Sequence, residues 1–193
     1  MPKPSQSGEA SFPLIVALTG FMAAGKSTIG RVLGSRLHWN FLDLDCEIEC
    51  RSHLQIHEIF AMQGEQRFRQ IEAETLRFVV EQASAPTVIA LGGGTFVQEQ
   101  NAKLLLDHGA HVVFLEVDVE ELLERCRYAR ERSPQNPRPL ADNAEAFCRL
   151  YAQRLPSYRK AELTVSAKGK AAEQVAEEIV TALQLSDGDG PRR

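Results

Sequence analysis

LIVALTGFMAAGKSTIGRVL, residues 14–33, decides the fold. An apolar run from Leu14 to Thr19 breaks at Gly20, and after Gly25-Lys26-Ser27 apolar residues recur at Ile29, Val32, Leu33 and Leu37. The first part is short and continuous, as in a strand buried on both faces. The second has the spacing of a helix from Lys26 to Leu37. Gly20 to Ser27, between them, fits G-x-x-x-x-G-K-[ST], and the strand before and helix after are the setting in which that pattern holds phosphate. Successive backbone N–H groups can curl around an anion while the helix N-terminus adds partial positive charge. The nucleotide-binding set is therefore Ala23, Ala24, Gly25, Lys26, Ser27 and Thr28. Lys26 would reach the β- and γ-phosphates and the Ser27 hydroxyl would ligate Mg²⁺, which makes ATP and Mg²⁺ the implied co-substrate and metal.

Working outward, Phe41–Asp43, Thr87–Leu91, His111–Val117 and Leu163–Val165 read as four more strands. Helical spacing runs over Cys46–Gln82, broken around Ser52-His53 and at Gly64, and over Ala102–Leu106, Glu120–Arg127, Ala144–Tyr158 and Ala171–Leu185. Pro156 should kink or stop the fourth of these. Strands alternating with helices mean parallel βαβ units, hence a three-layer α/β/α domain on a five-stranded parallel sheet. One domain is expected over residues 13–186, between flexible tails at 1–12 and 187–193. A polar stretch at 129–142 is long enough to be a mobile lid.

The 193 residues carry a net charge of −4, with 44% hydrophobic and 25% charged residues. That balance argues against a protein that coats nucleic acid or an anionic membrane, and no apolar run suits a membrane helix. The N-terminal stretch lacks the apolar centre of a signal peptide, and four scattered cysteines then point to reduced thiols and a cytoplasmic location. A monomer is expected.

FLDLD, residues 41–45, ends the second strand with Asp43 and Asp45. In an extended segment residues i and i+2 point the same way, so both carboxylates would face the loop beyond the strand's carboxyl end, where open α/β sheets bind ligands. One could serve Mg²⁺ through water and the other accept a proton from a hydroxyl. In GEQRFRQIEAETL, Arg69 and Glu72 are i,i+3 neighbours on a helix, an arrangement that can hold an arginine ready to grip an anion. Gly92-Gly93-Gly94 allows backbone to approach a ligand closely. The charged face of Glu120, Glu121 and Glu124 is read as solvated. Cys46-x₃-Cys50-x₂-His53-x₃-His57 has the residue types of a zinc site but a looser spacing than a zinc finger, and is read as buried thiols and exposed imidazoles. Cys126 and Cys148 are expected to pack.

GFMAAGKSTIG, the FLDLD acids, IHEIFAMQGEQRFRQIE, ALGGGT, the RPL at 138–140 and RLPSYR, in this order, resemble shikimate kinase from about Leu14 to Arg159. The resemblance implies a P-loop kinase fold and the conversion of ATP and shikimate to ADP and 3-phosphoshikimate. It implies that Asp43 faces the magnesium water shell and that Asp45 hydrogen-bonds the shikimate hydroxyls, including the attacking one. Arg69 and Arg154 would clamp the shikimate carboxylate, with Glu72 orienting Arg69 and Gly92, Gly93 and Gly94 offering backbone contact. Phe60 and Phe68 would wall the ring, Arg138 would swing in on the lid, and Arg125 would lie against adenine. Lys26, Asp45 and Arg138 are thus the expected catalytic groups. Three departures stand out: Ala23 where the family more often has glycine, His53 and Gln55 where Gly and Ser are usual, and SAKGK at 166–170 without the usual proline. Lys168 or Lys170 would compensate on the adenine side. A gluconate kinase or a nucleotide-binding module without transfer activity are the competing readings.

Overall fold

A computed structural model describes residues 14–132 and 143–186. The chain runs β1 (Ile15–Thr19), α1 (Lys26–Leu37), β2 (Asn40–Asp43), α2 (Leu44–Ser52), α3 (Ile56–Gln82), β3 (Thr87–Ala90), α4 (Glu99–Asp107), β4 (His111–Glu116), α5 (Val119–Arg132), α6 (Ala144–Tyr158), β5 (Leu163–Ser166) and α7 (Ala172–Leu183). The strands form one sheet in the order β2-β3-β1-β4-β5, and every pairing is parallel.

The three central strands are buried on both faces, and because the side-chain period of a strand is two, each sends residues to both sides. Along β1, Val16 and Leu18 pack into one apolar cluster and Ile15 and Ala17 into the other. The first cluster takes Leu33 from α1, Leu122 from α5, Phe147 and Tyr158 from α6, and Ile179 from α7. The second takes Ile48 from α2, Ile59 and Leu76 from α3, and Leu105 from α4. Truncating a residue such as Leu18, fully buried at the centre, to alanine is expected to cost about 2–5 kcal/mol.

Two glycines set the spacing that matters for the site. A Cβ at Gly30 would lie 2.6 Å from the Phe41 ring, and one at Gly34 would lie 3.2 Å from the Phe41 Cβ. Their bare backbone lets α1 press onto β2, which brings the start of α1 beside the end of β2.

Several details differ from the sequence reading. The helix containing Pro156 keeps its expected bounds, Ala144–Tyr158, and is not stopped by the proline. α5 extends to Arg132, so the first residues of the expected lid, 129–132, are helical. The rest of that lid, with Arg138, and both expected tails lie outside the described residues. The long helical pattern after β2 does break twice as expected. α2 closes on His53 in the left-handed region at φ 55°, and α3 is kinked at Gly64, where φ is 78° and ψ 172°.

Candidate active site

The loop from Gly20 to Gly25 joins β1 to α1 and turns through positive φ at Gly20 (143°), Ala23 (63°) and Gly25 (94°). Ala23 therefore holds a conformation that costs an L-residue about 1–2 kcal/mol. The Lys26 ammonium folds back over the loop and donates to the carbonyls of Gly20 and Phe21, both at 2.9 Å. Ala24 is buried, whereas Thr28 is exposed on the first turn of α1. Ser27 donates its hydroxyl proton to Asp43 Oδ2.

Asp43 and Asp45 converge, but not by strand alternation. The strand ends at Asp43, which caps α2: its Oδ1 accepts from the Asp45 backbone N–H at 3.1 Å. Asp45 lies in the first turn of that helix, so helical rather than extended geometry aims it. Its carboxyl is drawn out of water, and burial pushes its pKa from 3.8 up to about 6. Lys26 opposes that shift, while Asp43 and Glu72 add to it. Those three influences place Asp45 between the phosphate loop and α3.

The turn after β3 is the hub. A Cβ on Gly92 would sit 2.8 Å from Asp45 Oδ1, 2.9 Å from Thr95 Oγ1 and 3.2 Å from Glu72 Oε1. One on Gly94 would sit 2.7 Å from Arg69 Nη1, and one on Gly93 would find Met22 N at 3.6 Å, Arg154 Nη1 at 3.7 Å and Gly20 O at 3.8 Å. Three adjacent glycines thus touch the acid, both arginines and the phosphate loop. Arg69 is held from two sides, donating from Nη1 to Glu72 at 3.0 Å and from Nη2 to Glu65 at 3.0 Å. Glu72 is 1% exposed and also accepts from the Thr95 hydroxyl at 2.7 Å. A buried carboxylate with two donors is satisfied, and its bond to Arg69 fixes the guanidinium. Arg154 reaches in from α6 and donates to the Gly93 carbonyl at 3.1 Å. Beyond Arg69 the rings of Phe60 and Phe68 meet at 4.5 Å, Phe68 buried and Phe60 39% exposed.

On the far side of the phosphate loop, Arg125 bridges two segments. It donates to the Ala23 carbonyl at 3.3 Å and the Ala167 carbonyl at 3.2 Å, and pairs with Glu121 at 2.6 Å. Glu121 is therefore a holding group rather than a solvated charge. Lys168 is paired with Asp118 and Lys170 with Glu178 on α7 at 2.7 Å, so Lys170 is turned toward α7 and is not brought into this cluster. Cys46, Cys50 and Cys148 are exposed and only Cys126 is buried, which corrects the expectation that these thiols pack. No group of three or more His, Cys, Asp or Glu side chains among the described residues could hold a metal ion.

Sequence reasoning missed three groups. Thr95 and Glu65 brace the Glu72–Arg69 pair, and Tyr158 donates its hydroxyl proton to the Gly93 carbonyl. Glu65 was readable, since it stands four residues before Arg69 on the same helix. The other two act across long sequence separations and left no local trace.

A family model described as shikimate kinase matches residues 22–184. A shikimate kinase of Thermus thermophilus is 42% identical over 169 residues, which span 87% of this chain and 89% of that one. One of Ruegeria pomeroyi is 36% identical over 185 residues, 94% of this chain and 90% of the other. The structure of a shikimate kinase from Acinetobacter baumannii in complex with shikimate superposes with a TM-score of 0.77 at 33% identity, covering 90% of this chain and 94% of that chain.

Proposed function

The chain belongs to the shikimate kinase family, and we propose that it transfers the γ-phosphoryl group of ATP to the 3-hydroxyl of shikimate, giving 3-phosphoshikimate and ADP. The observation that carries this reading is the meeting of Asp45, Arg69 and Arg154 on the Gly92–Gly94 turn, directly beside the phosphate loop.

Arg69 and Arg154 present two guanidinium groups suited to a carboxylate, and Phe60 and Phe68 give an apolar wall for a carbon ring. Asp45 then lies on the hydroxyl side. With a pKa of about 6 it is largely ionised at neutral pH yet basic enough to accept the proton that leaves the attacking oxygen. Lys26 supplies positive charge toward the β- and γ-phosphates, and the amides from Ala23 to Ser27 cradle them. The flat Arg125 guanidinium, fixed between Ala23 and Ala167, offers a face for adenine. Arg138, outside the described residues, is assigned to closing on the phosphates and excluding water.

The Ser27 hydroxyl and Asp43 carboxylate stand together, an all-oxygen pair of the hard type that Mg²⁺ prefers, with phosphate and water completing its shell. When bound there, Mg²⁺ neutralises charge on the phosphates. The reading takes the protein as a monomer, and the exposed thiols Cys46, Cys50 and Cys148 support a reducing, cytoplasmic setting. Among the described residues no helix is long and apolar enough to cross a membrane.

The direct test is purified protein with MgATP and shikimate, the product identified by mass. Phosphoshikimate is expected. Turnover with gluconate but not shikimate, or ATP binding without transfer to either, would replace this reading. Arg154→Ala should weaken shikimate binding about 10–100-fold, the loss expected for hydrogen bonds to a charged group.

A further inference from the structure

Tyr158 is fully buried at the end of α6, its ring stacked on Phe114 of β4 with centroids 5.3 Å apart. A buried phenol needs a partner, and this one reaches across 65 positions to the Gly93 carbonyl. Arg154 lies one helical turn earlier, so both side chains leave the same face of α6 and end on the same oxygen. A carbonyl has two lone pairs, and both now have a donor. The Gly93–Gly94 peptide is planar and rigid, so fixing its oxygen fixes the Gly94 N–H on its opposite side as well. The planar Arg154 guanidinium has Nη1 committed to that oxygen, so its direction follows from where the oxygen sits. Burial pushes the Tyr158 pKa up to about 12, and the phenol stays a donor throughout the working pH range.

We propose that Tyr158 is a positioning residue for the acidic substrate: its O–H···O=C bond to Gly93 holds the glycine turn and the Arg154 guanidinium in one arrangement, and thereby sets the affinity for the substrate carboxylate. This rests on reading Arg154 as a carboxylate clamp, and the two ideas fail separately.

The test is a double-mutant cycle on the full chain, with Tyr158→Phe, Arg154→Ala and the double variant, reading shikimate and ATP affinities by titration. Tyr158→Phe keeps the ring on Phe114 and should lower the melting temperature by only about 2–4 °C. It should weaken shikimate binding about five- to tenfold, one net hydrogen bond, and leave ATP affinity within twofold. Added to Arg154→Ala, it should weaken shikimate binding less than twofold further, because the group it acts through is gone. A shikimate affinity within twofold of the parent in Tyr158→Phe overturns the proposal, as does full additivity in the double variant. Unchanged shikimate affinity in Arg154→Ala instead overturns the clamp reading itself. Should Tyr158→Phe melt far below the stated range, the comparison of shikimate with its methyl ester, which lacks the carboxylate charge, decides on the parent and the folded fraction at low temperature. Equal weakening of acid and ester overturns the proposal, and a loss confined to the acid supports it.

Discussion

Replacing Gly94 by alanine tests the central geometry with one methyl group. Its backbone is not among the positive-φ positions, so alanine meets no conformational barrier there. The new Cβ would nevertheless lie 2.7 Å from Arg69 Nη1, 3.0 Å from Nη2 and 3.1 Å from Cζ. Ordinary contact starts near 3.4 Å, so the guanidinium must retreat by roughly 0.7 Å. It cannot swing aside cheaply, because Glu72 and Glu65 grip it from two sides. A displacement near 1 Å in a positioning group can cost about 10²-fold. The expected result is a shikimate KM raised about 30–100-fold, with the ATP KM within twofold and the fold intact by circular dichroism. Gly93→Ala is the control: its nearest neighbours would stand at 3.6–3.8 Å, so the protein itself accommodates the methyl, and lost activity there would report competition with ligand. A shikimate KM within threefold of the parent in Gly94→Ala would refute the claim that this turn sets the position of Arg69.

Asp45→Asn should lower turnover by about 10²–10⁴-fold, the range for a lost general base, while ATP affinity in titrations survives. In steady-state assays across pH, kcat/KM should rise through about pH 6 as Asp45 ionises. Stability should run the other way. Its pKa is higher folded than unfolded, so the folded state binds this proton more tightly, and that stabilisation is lost as pH climbs from 3.8 to about 6. Melting curves without nucleotide or metal should accordingly show Asp45→Asn gaining on the parent over that window, and a gap that does not change with pH would contradict it. Ala23→Gly should relieve the left-handed strain at φ 63° and stabilise the protein by about 1 kcal/mol. A lower melting temperature in that variant would show that the loop is not strained.

The sheet and the phosphate loop were readable because their signals are local. β1 is apolar on both faces, and Gly20, Gly25 and Lys26 stand within eight residues. Arg69 and Glu72 were readable for the same reason, being one helical turn apart. The Asp43–Asp45 pair meets for a reason that strand alternation does not supply, since the chain turns helical at Leu44 and the cap, not the pleat, orients it. Pro156 does not stop α6 because it stands two residues from the helix end, where it costs a single N–H bond and leaves little helix beyond it. Glu121 looked like one more surface acid, and only the approach of Ala23 and Ala167 to Arg125 gives it a task. Tyr158 and Thr95 depend on chain segments brought together by the fold, which no periodicity encodes.

The joint in α3 separates two duties along one helix. Gly64 has φ 78° and ψ 172°, yet a Cβ there would meet nothing within 4 Å. Its glycine is demanded by backbone angle and not by crowding. Phe60 lies before the joint and Arg69 after it. Of the two wall rings, Phe60 is consequently released from the helical phase that aims the anion grip, whereas Phe68 shares that phase with Arg69. A substitution upstream of Gly64 can therefore reshape that half of the wall without turning the arginine.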